Sequence, residues 1–360
     1  MWSVWYRYQL PQGWRDMLPG RITIKYVAQH AKVSVTTVSR VLNKSESVRT
    51  STRQRVEQVL TDLGFSRDPI ATALRTGRSN TVHLLIERFD GTFIPDILVG
   101  IEAQADAKGY GVLVSKLHPE AEAVRQPDKY YIDGIIIISD SVHDLCLDSK
   151  LGSDAVPLVC VYSYSQDIRY PCVLPDDFQG AYLAVEHLAA KGCKEVGYIG
   201  GIPHWPASMD RLRGYQQAVR DLNLREDPSL IEVGDWTAGS GYEGCRRMLQ
   251  KTRFDGIFAS NDPIAIGAMD ALGEHGLRVP EDVAVIGFDN TSLGRYVRPT
   301  LSSIAMPLRE LGEIAMDLVV SLIEANGTRE PYDSAHIIKI PCSLRERAST
   351  KRSSTQSDCN

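Results

Sequence analysis

The chain has 360 residues, beyond the roughly 250–300 at which single hydrophobic cores stop growing, so several domains are expected. Its 43% hydrophobic and 24% charged residues exclude a disordered chain, and its longest apolar run, near Ile135–Ile138, is strand-sized, well short of the ~20 residues of a membrane helix. Charge is split: between Arg21 and Ser79 eleven basic residues face four acidic ones, a net +7; the whole chain carries −5 and its first twenty residues +1, which leaves −13 beyond Ser79. That is the layout of a polyanion-binding head on an acidic body.

Residues 1–20 are rich in Trp and Tyr but lack an apolar core with a small-residue cleavage site, so they read as a dispensable, disordered extension rather than a secretory signal. From 21 to 66 the pattern is helical. Thr23 is placed to cap a helix from Ile24 to about His30, with Ile24, Val27, Ala28 and Ala31 on one face. Ser34 caps a second helix through about Leu42, with Val38, Val41 and Leu42 inward and Val35, Thr36, Ser39 and Arg40 outward. A third, from about Thr52 to Leu63, ends at Gly64, a natural C-cap. Two short helices with a tight turn and a third closing the core form a helix-turn-helix, whose second helix enters a major groove. Its outward side chains suit that role: Arg40 donates to guanine, Thr36 hydrogen-bonds, Val35 meets a thymine methyl and small hydroxyls reach phosphates. The same pattern also fits a small bundle with a solvated basic face.

Residues 67–79 read as a linker with a short hinge helix, and from 80 to 348 strand and helix signals alternate. Strands are expected at Val82–Ile86, Val112–Ser115, Gly134–Ile138, Leu158–Tyr162, Val196–Gly200, Leu230–Val233, Gly256–Ala259 and Val283–Gly287. Helices are expected at Asp96–Lys108, Gln179–Lys191, Arg211–Leu222, Tyr242–Lys251 and Pro263–His275. This alternation predicts an α/β protein of parallel, doubly wound sheets. Asp133-Gly134-Ile135-Ile136 is echoed by Asp255-Gly256-Ile257-Phe258, which suggests two similar lobes with a ligand in the cleft at their strand ends. Residues 349–360 are polar, read as a disordered tail, and lack the leucine heptad of a tetramerising coiled coil.

Thr23-Ile24-Lys25-Tyr26-Val27-Ala28 followed by Val33 to Asn43 resembles the head of the lactose/galactose-repressor family, and the resemblance continues nearly to Arg347. Its further marks include Asp176-Asp177-Phe178-Gln179-Gly180, Arg211-Leu212-Arg213-Gly214-Tyr215, Asn261-Asp262 and Gly287-Phe288-Asp289. The resemblance implies a two-lobed sensor similar to periplasmic sugar-binding proteins. It also implies a homodimeric, cytoplasmic regulator, a repressor of carbohydrate-metabolism genes, that binds a pseudo-palindromic double-stranded operator and responds to a small effector, a sugar or sugar derivative. Carried over position by position, Val35, Thr36 and Arg40 are base readers, Ser34, Thr37, Ser39 and Asn43 phosphate or orienting contacts, and Leu74 in the hinge helix a minor-groove wedge. Phe93, Arg211, Trp236, Asn261 and Asp289 are carried over as effector residues.

Several positions depart from the family pattern. Tyr26 stands where an acidic residue usually closes a capping box, and Lys32 where Gly is usual. In the hinge, Arg67-Asp68 replaces Pro-Asn and Thr72 often-found Arg. Tyr162, counted with the effector residues, ends a strand where many sugar-binding members have Asp. The chemistry of the effector set also stands by itself: Arg211, Asp289 and Asn261 offer planar bidentate groups to vicinal hydroxyls, and Trp236 or Phe93 covers a sugar ring face. Each has a plainer reading too, Arg211 pairing with a carboxylate on its own helix, Trp236 in the core, Asp289 capping a turn.

Seven scattered cysteines with no Cys-x-x-Cys pair argue against a disulfide framework or zinc site and fit a reducing compartment. No dinucleotide fingerprint, P-loop, nucleophile elbow or metal-spaced His pair points to an enzyme, and neither cofactor nor metal is expected. The rival reading, an extracytoplasmic sugar-binding protein, fits the body but not the basic head.

Overall fold

A computed structural model describes residues 22–43, 47–65, 77–89, 91–117, 132–139, 156–162, 170–325 and 337–351. The chain divides into two units, Met1–Ser79 and Asn80–Asn360. The expected N-terminal extension, the hinge helix with Leu74, and the end of the chain after Lys351 lie outside the described residues.

In the first unit, α1 (Ile24–His30), α2 (Val35–Leu42) and α3 (Thr50–Asp62) pack around Val27, Ala28, Ala31, Val38, Val41 and Val56. The ends are set by local chemistry. Thr23 Oγ1 accepts from Tyr26 N at 3.3 Å, and Ser34 Oγ from Thr37 N at 3.1 Å. After α3 the chain reverses through Gly64 at φ +61°, and Phe65 N donates back to Leu60 O, satisfying an orphan carbonyl as C-terminal helix motifs do. The tight turn between α1 and α2 holds Lys32 at φ +51°, the backbone that favours glycine, at a cost of about 1 kcal/mol.

The second unit is two lobes, each a six-stranded sheet. The first lobe contains β1 (Thr81–Ile86), β2 (Gly111–Lys116), β3 (Gly134–Ile138), β4 (Leu158–Val161), β5 (Cys172–Pro175) and, from the end of the chain, β11 (Ile337–Ile340), in the order β2-β1-β3-β4-β5-β11, all parallel. The second contains β6 (Val196–Ile199), β7 (Ile231–Glu232), β8 (Gly256–Ala259), β9 (Ala284–Phe288), β10 (Ser302–Ala305) and β12 (Ser343–Arg345), ordered β7-β6-β8-β9-β10-β12, with only β12 antiparallel. The connecting helices are α4 (Ile94–Lys108), α5 (Asp177–Ala190), α6 (Pro206–Asp221), α7 (Ala238–Lys251), α8 (Asp262–Glu274) and α9 (Leu308–Glu324). Among the described residues the chain passes between lobes three times, from β5 into α5, from β10 into α9 and from β11 into β12.

The Asp-Gly echo marks equivalent places, since β3 and β8 occupy the same position in the two strand orders. Asp133 Oδ2 accepts from Asn80 N at 2.8 Å just before β1, and Asp255 accepts from Lys194 N at 3.0 and 2.9 Å just before β6. In both lobes a carboxylate thus fastens the first strand beside the third. One apolar cluster, including Leu84, Ile136 and Val159 of the first sheet and Val196, Phe258 and Ile286 of the second, runs through both lobes.

Four strands and one helix go beyond the expected elements. β10 is polar in sequence yet wholly buried: Ser303 Oγ donates to Asp262 Oδ1 at 2.6 Å, and Ser302 N to Ser349 Oγ at 2.8 Å. Hydrogen bonds to distant partners replace the apolar signal. α9 carries a helical apolar stripe, with Leu308, Leu311, Ala315, Val319 and Ile323 buried against the first sheet. The Leu230–Val233 strand contracts to two residues, with Val233 exposed. Ser349 and Thr350, expected in a disordered tail, are instead fully buried in a 3-10 turn (Ala348–Thr350), Ser349 Oγ donating to Val285 O at 2.6 Å and Thr350 Oγ1 meeting Ser302 Oγ at 2.7 Å. Among the described residues no helix is long and apolar enough to cross a membrane.

Candidate functional site

On the head, α2 presents its residues as its period dictates. Val38 and Val41 enter the core, while Val35, Thr36, Arg40 and Asn43 are exposed along one side; Thr37 and Ser39 are half-buried. Ser34 and Thr37 are engaged with each other, their hydroxyls 2.9 Å apart while Ser34 caps the helix, so their first task is to fix the N-terminus of α2. Helix N-termini favour anions, and Arg40, on the last turn of α2, adds a guanidinium suited to a guanine edge. Tyr26 packs on His30, ring centroids 4.2 Å apart, so the position normally closing a capping box makes an aromatic contact instead.

In the sensor unit, Phe93, Tyr162, Arg211, Trp236, Asn261 and Asp289 line one cleft of ≈ 400 Å³, a size suited to a small ligand. The fold explains the convergence. Tyr162 follows β4, Trp236 lies beyond β7, Asn261 beyond β8 and Asp289 directly after β9, so all four stand at the carboxyl ends of parallel strands, where open α/β sheets bind ligands. Tyr162, Trp236 and Asp289 also have positive φ, at +70°, +71° and +95°, a strain of order 1–3 kcal/mol each that is found at ligand clamps and switch regions.

Arg211 sits in the second turn of α6, which begins at Pro206, earlier than the pattern suggests. It is 1% exposed and hydrogen-bonds to protein groups on several sides. Its Nε donates to Asp177 Oδ1 at 2.7 Å, one terminal nitrogen to the Ser260 carbonyl and to Asp289 Oδ1 at 3.4 Å, and the other to Met306 Sδ at 3.8 Å; its guanidinium lies 3.7 Å from the Phe288 ring centre. The partner carboxylates come from other elements. On its own helix it is Arg213 that pairs with Asp210, which Lys339 also holds at 2.9 Å. Burial opposes the Arg211 charge, yet Asp177 and Asp289 outweigh it and raise its pKa further. Burial raises Asp177, with Arg211 pulling it back, and pushes Asp289 up to about 7 despite the same guanidinium. Burial likewise pushes the Tyr162 hydroxyl well above its usual range.

The aromatic residues form two pairs. Phe93 and Tyr162 stack in parallel, 4.3 Å apart at 14°, with Tyr162 Oη donating to Met306 Sδ at 3.4 Å. Trp205 and Trp236 lie tilted at 6.1 Å. Trp236 is seated against Gly201, where a Cβ would come within 2.3 Å of the indole, and its buried Nε1 has no hydrogen-bond partner. Asn261 is tied at both ends, Oδ1 capping α8 by accepting from Ile264 N at 2.9 Å and Nδ2 donating to Trp236 O at 3.0 Å; it positions the indole more than it faces the cleft. Asp177 and Trp205 are among the cleft residues that sequence reasoning left out. Asp177 lay within the quoted Asp176-Asp177-Phe178 string, and a carboxylate at the start of a helix beside a lobe crossing was the available signal.

Comparison with known proteins places both units. A family profile for bacterial regulatory proteins of the lacI family matches residues 23–68, and one for a periplasmic binding protein-like domain matches residues 185–350. The chain is 30% identical over 315 residues to the HTH-type transcriptional regulator RegA of Clostridium saccharobutylicum, covering 86% of this chain and 95% of that protein. It is 33% identical over 311 residues to the HTH-type transcriptional repressor CytR of Escherichia coli K12, covering 84% and 90%. Among solved structures it is similar to the Lac repressor dimer bound to operator and the anti-inducer ONPF (27% identity, TM-score 0.75, 92% of this chain and 99% of that one). It is also similar to the complex of the transcriptional regulator CelR with cellobiose (26% identity, TM-score 0.66, 91% and 99%). These relatives are regulators of transcription, and with a basic helix-turn-helix head joined to a two-lobed cleft domain, this chain belongs to the LacI family of DNA-binding transcriptional regulators.

Proposed function

We propose that this protein is a cytoplasmic, homodimeric repressor of carbohydrate-metabolism genes whose affinity for a pseudo-palindromic operator is set by a carbohydrate-like effector in the cleft, and that it carries no enzymatic activity. The observation that carries this reading is the buried Asp177–Arg211–Asp289 assembly under an aromatic-walled cleft, in one chain with an exposed α2 on a +7 head. Val35, Thr36 and Arg40 read bases, Ser34, Thr37, Ser39 and Asn43 orient on phosphates, and Leu74 wedges the minor groove. Arg211 and Asp289 meet ligand hydroxyls while Trp236 and Phe93 cover ring faces; a ligand that prefers one lobe arrangement shifts the population toward it by no more than its differential affinity. The similarity to a cellobiose-bound regulator and to an operator-bound repressor dimer supports both halves.

The test is fluorescence anisotropy on duplex DNA across a salt series. Operator affinity is expected to fall by roughly 0.9 log units per log unit of salt for each phosphate neutralised, and a hydroxyl-radical footprint to show dyad symmetry. A salt-independent affinity, or a footprint without a dyad, would overturn the reading of the head. A carbohydrate panel that changes operator affinity at no concentration would overturn the reading of the cleft.

A further inference from the structure

Two hydrogen-bond donors from different lobes end on one sulfur atom. Tyr162, which follows β4 of the first lobe, donates its Oη to Met306 Sδ at 3.4 Å, and Arg211, on α6 of the second, points a terminal nitrogen at the same sulfur at 3.8 Å. Met306 itself belongs to neither sheet. With Pro307 it is the link by which the chain crosses from β10 into α9. A thioether is a weak acceptor, so a phenol hydroxyl and a guanidinium are aimed at an atom that uses little of what they offer. Met306 is also within reach of small solutes from outside the effector cleft. It lines a second, open cavity of ≈ 450 Å³ with Asp96, Leu308 and Arg309, and it is 8% exposed where Met248 and Met316 are wholly buried.

We propose that Met306 is an oxidation site, at which a hydroperoxide converts the thioether to the sulfoxide, and that the fold accepts the product because Tyr162 and Arg211 already point to where the new acceptor forms. A lone pair of Sδ attacks the terminal peroxide oxygen, the S–O bond forms as the O–O bond breaks, and the transferred oxygen's proton passes to the departing oxygen. The sulfur loses two electrons, and the hydroperoxide is reduced to an alcohol, or to water when it is hydrogen peroxide. In an apolar core the polar product disrupts packing. Beside Met306 it gains two donors, one of them charged, and charge-assisted hydrogen bonds are the strong ones. Oxidation therefore ties a residue of each lobe more firmly to the crossing between them, and it does so independently of any ligand.

The test treats the full chain with hydrogen peroxide and follows peptide masses, urea denaturation and amide exchange. Sulfoxide is expected at Met306 about tenfold faster or more than at Met248 or Met316, with Met209, 48% exposed, giving the rate of an unhindered side chain. Protein carrying the Met306 sulfoxide is expected to keep its urea midpoint, and exchange in the crossing, residues 304–308, to slow by about fivefold, the worth of one hydrogen bond. Met306→Gln puts an amide oxygen where the sulfoxide oxygen would stand and has no sulfur to oxidise, so it should show the slowed exchange before any peroxide is added. Met306→Leu strips both donors of their acceptor and should lower the urea midpoint, with exchange in the crossing no longer slowed by peroxide. The proposal falls if Met306 oxidises no faster than the wholly buried methionines, if its sulfoxide lowers the midpoint as far as Met306→Leu does, or if Met306→Gln exchanges like the untreated parent.

Discussion

The head and the cleft hold their proposed contact residues by opposite physical means. On α2 the side chains proposed to read DNA are exposed or half-buried and come from one continuous stretch of chain, Ser34 to Asn43; they are held in place by a helix that caps itself and rests on a few valines and alanines. In the cleft the central group, Arg211, is 1% exposed and bound to groups contributed near residues 177, 260, 289 and 306, including two of the three lobe crossings. An exposed reader carries no stability debt and can be changed freely. A buried charge is bound into the fold, so under the proposed function ligand recognition and folding share the same atoms, and a lobe movement that alters one crossing must alter the guanidinium's partners. A head can therefore vary its target while the clamp beneath the cleft stays fixed.

The sharpest test of this contrast removes each arginine in turn. Arg211→Ala leaves Asp177 as a buried, uncompensated carboxylate and is expected to cost about 3–5 kcal/mol, whereas the double replacement Arg211→Met with Asp177→Leu is expected to recover most of it. Urea denaturation at constant slope gives the answer; an unchanged midpoint for Arg211→Ala would dissolve the distinction. Operator affinity of the folded fraction, without ligand, should be unaffected. Arg40→Ala should instead leave the urea midpoint in place and cost about 1–3 kcal/mol on the best operator, with far less lost on random duplex. Equal losses on both DNAs would make Arg40 a phosphate contact only.

A smaller effect separates the two regions by pH. Burial lifts Asp289 from 3.8 to about 7, so in the empty cleft the neutral acid is favoured up to near pH 7, while a hydroxyl donated by a ligand prefers the carboxylate. Ligand affinity is then expected to fall as pH drops below 7, by at most tenfold per unit, with proton release visible when calorimetry is repeated at pH 6 in buffers of different ionisation enthalpy. Asp289→Asn should abolish both. The same group binds a proton when folded that it lacks when unfolded between about pH 4 and 7, so its contribution to sensor stability falls as pH rises through that window. The smallest effect lies in the head: Lys32→Gly relieves the φ of +51° and should stabilise that unit by about 0.5–1 kcal/mol, read as slower amide exchange in α1 to α3 with no change in ligand binding.

Much of this protein follows from the sequence alone, wherever the determining interactions lie within a few residues of one another. Thr23 and Ser34 cap helices three residues ahead, Gly64 ends one, and the apolar period of Val38 and Val41 decides that Val35, Thr36 and Arg40 face outward. The Asp-Gly echo at 133 and 255 announces the repeat, because the same strand start is built twice. Tertiary structure alone decided what Arg211 does. Sequence suggests a carboxylate on the helix of Arg211 as its partner, but the fold gives Asp210 to Arg213 and Lys339 and brings Asp177 and Asp289 to Arg211 from 34 and 78 residues away. It also made the serines of β10 a buried strand, and it carried Ser349 and Thr350 into the core. The physical reason is common to these cases. Periodicity records which side chains leave water, but a buried polar group is stable only beside its partner, and which partner arrives is set by the order of strands in a sheet.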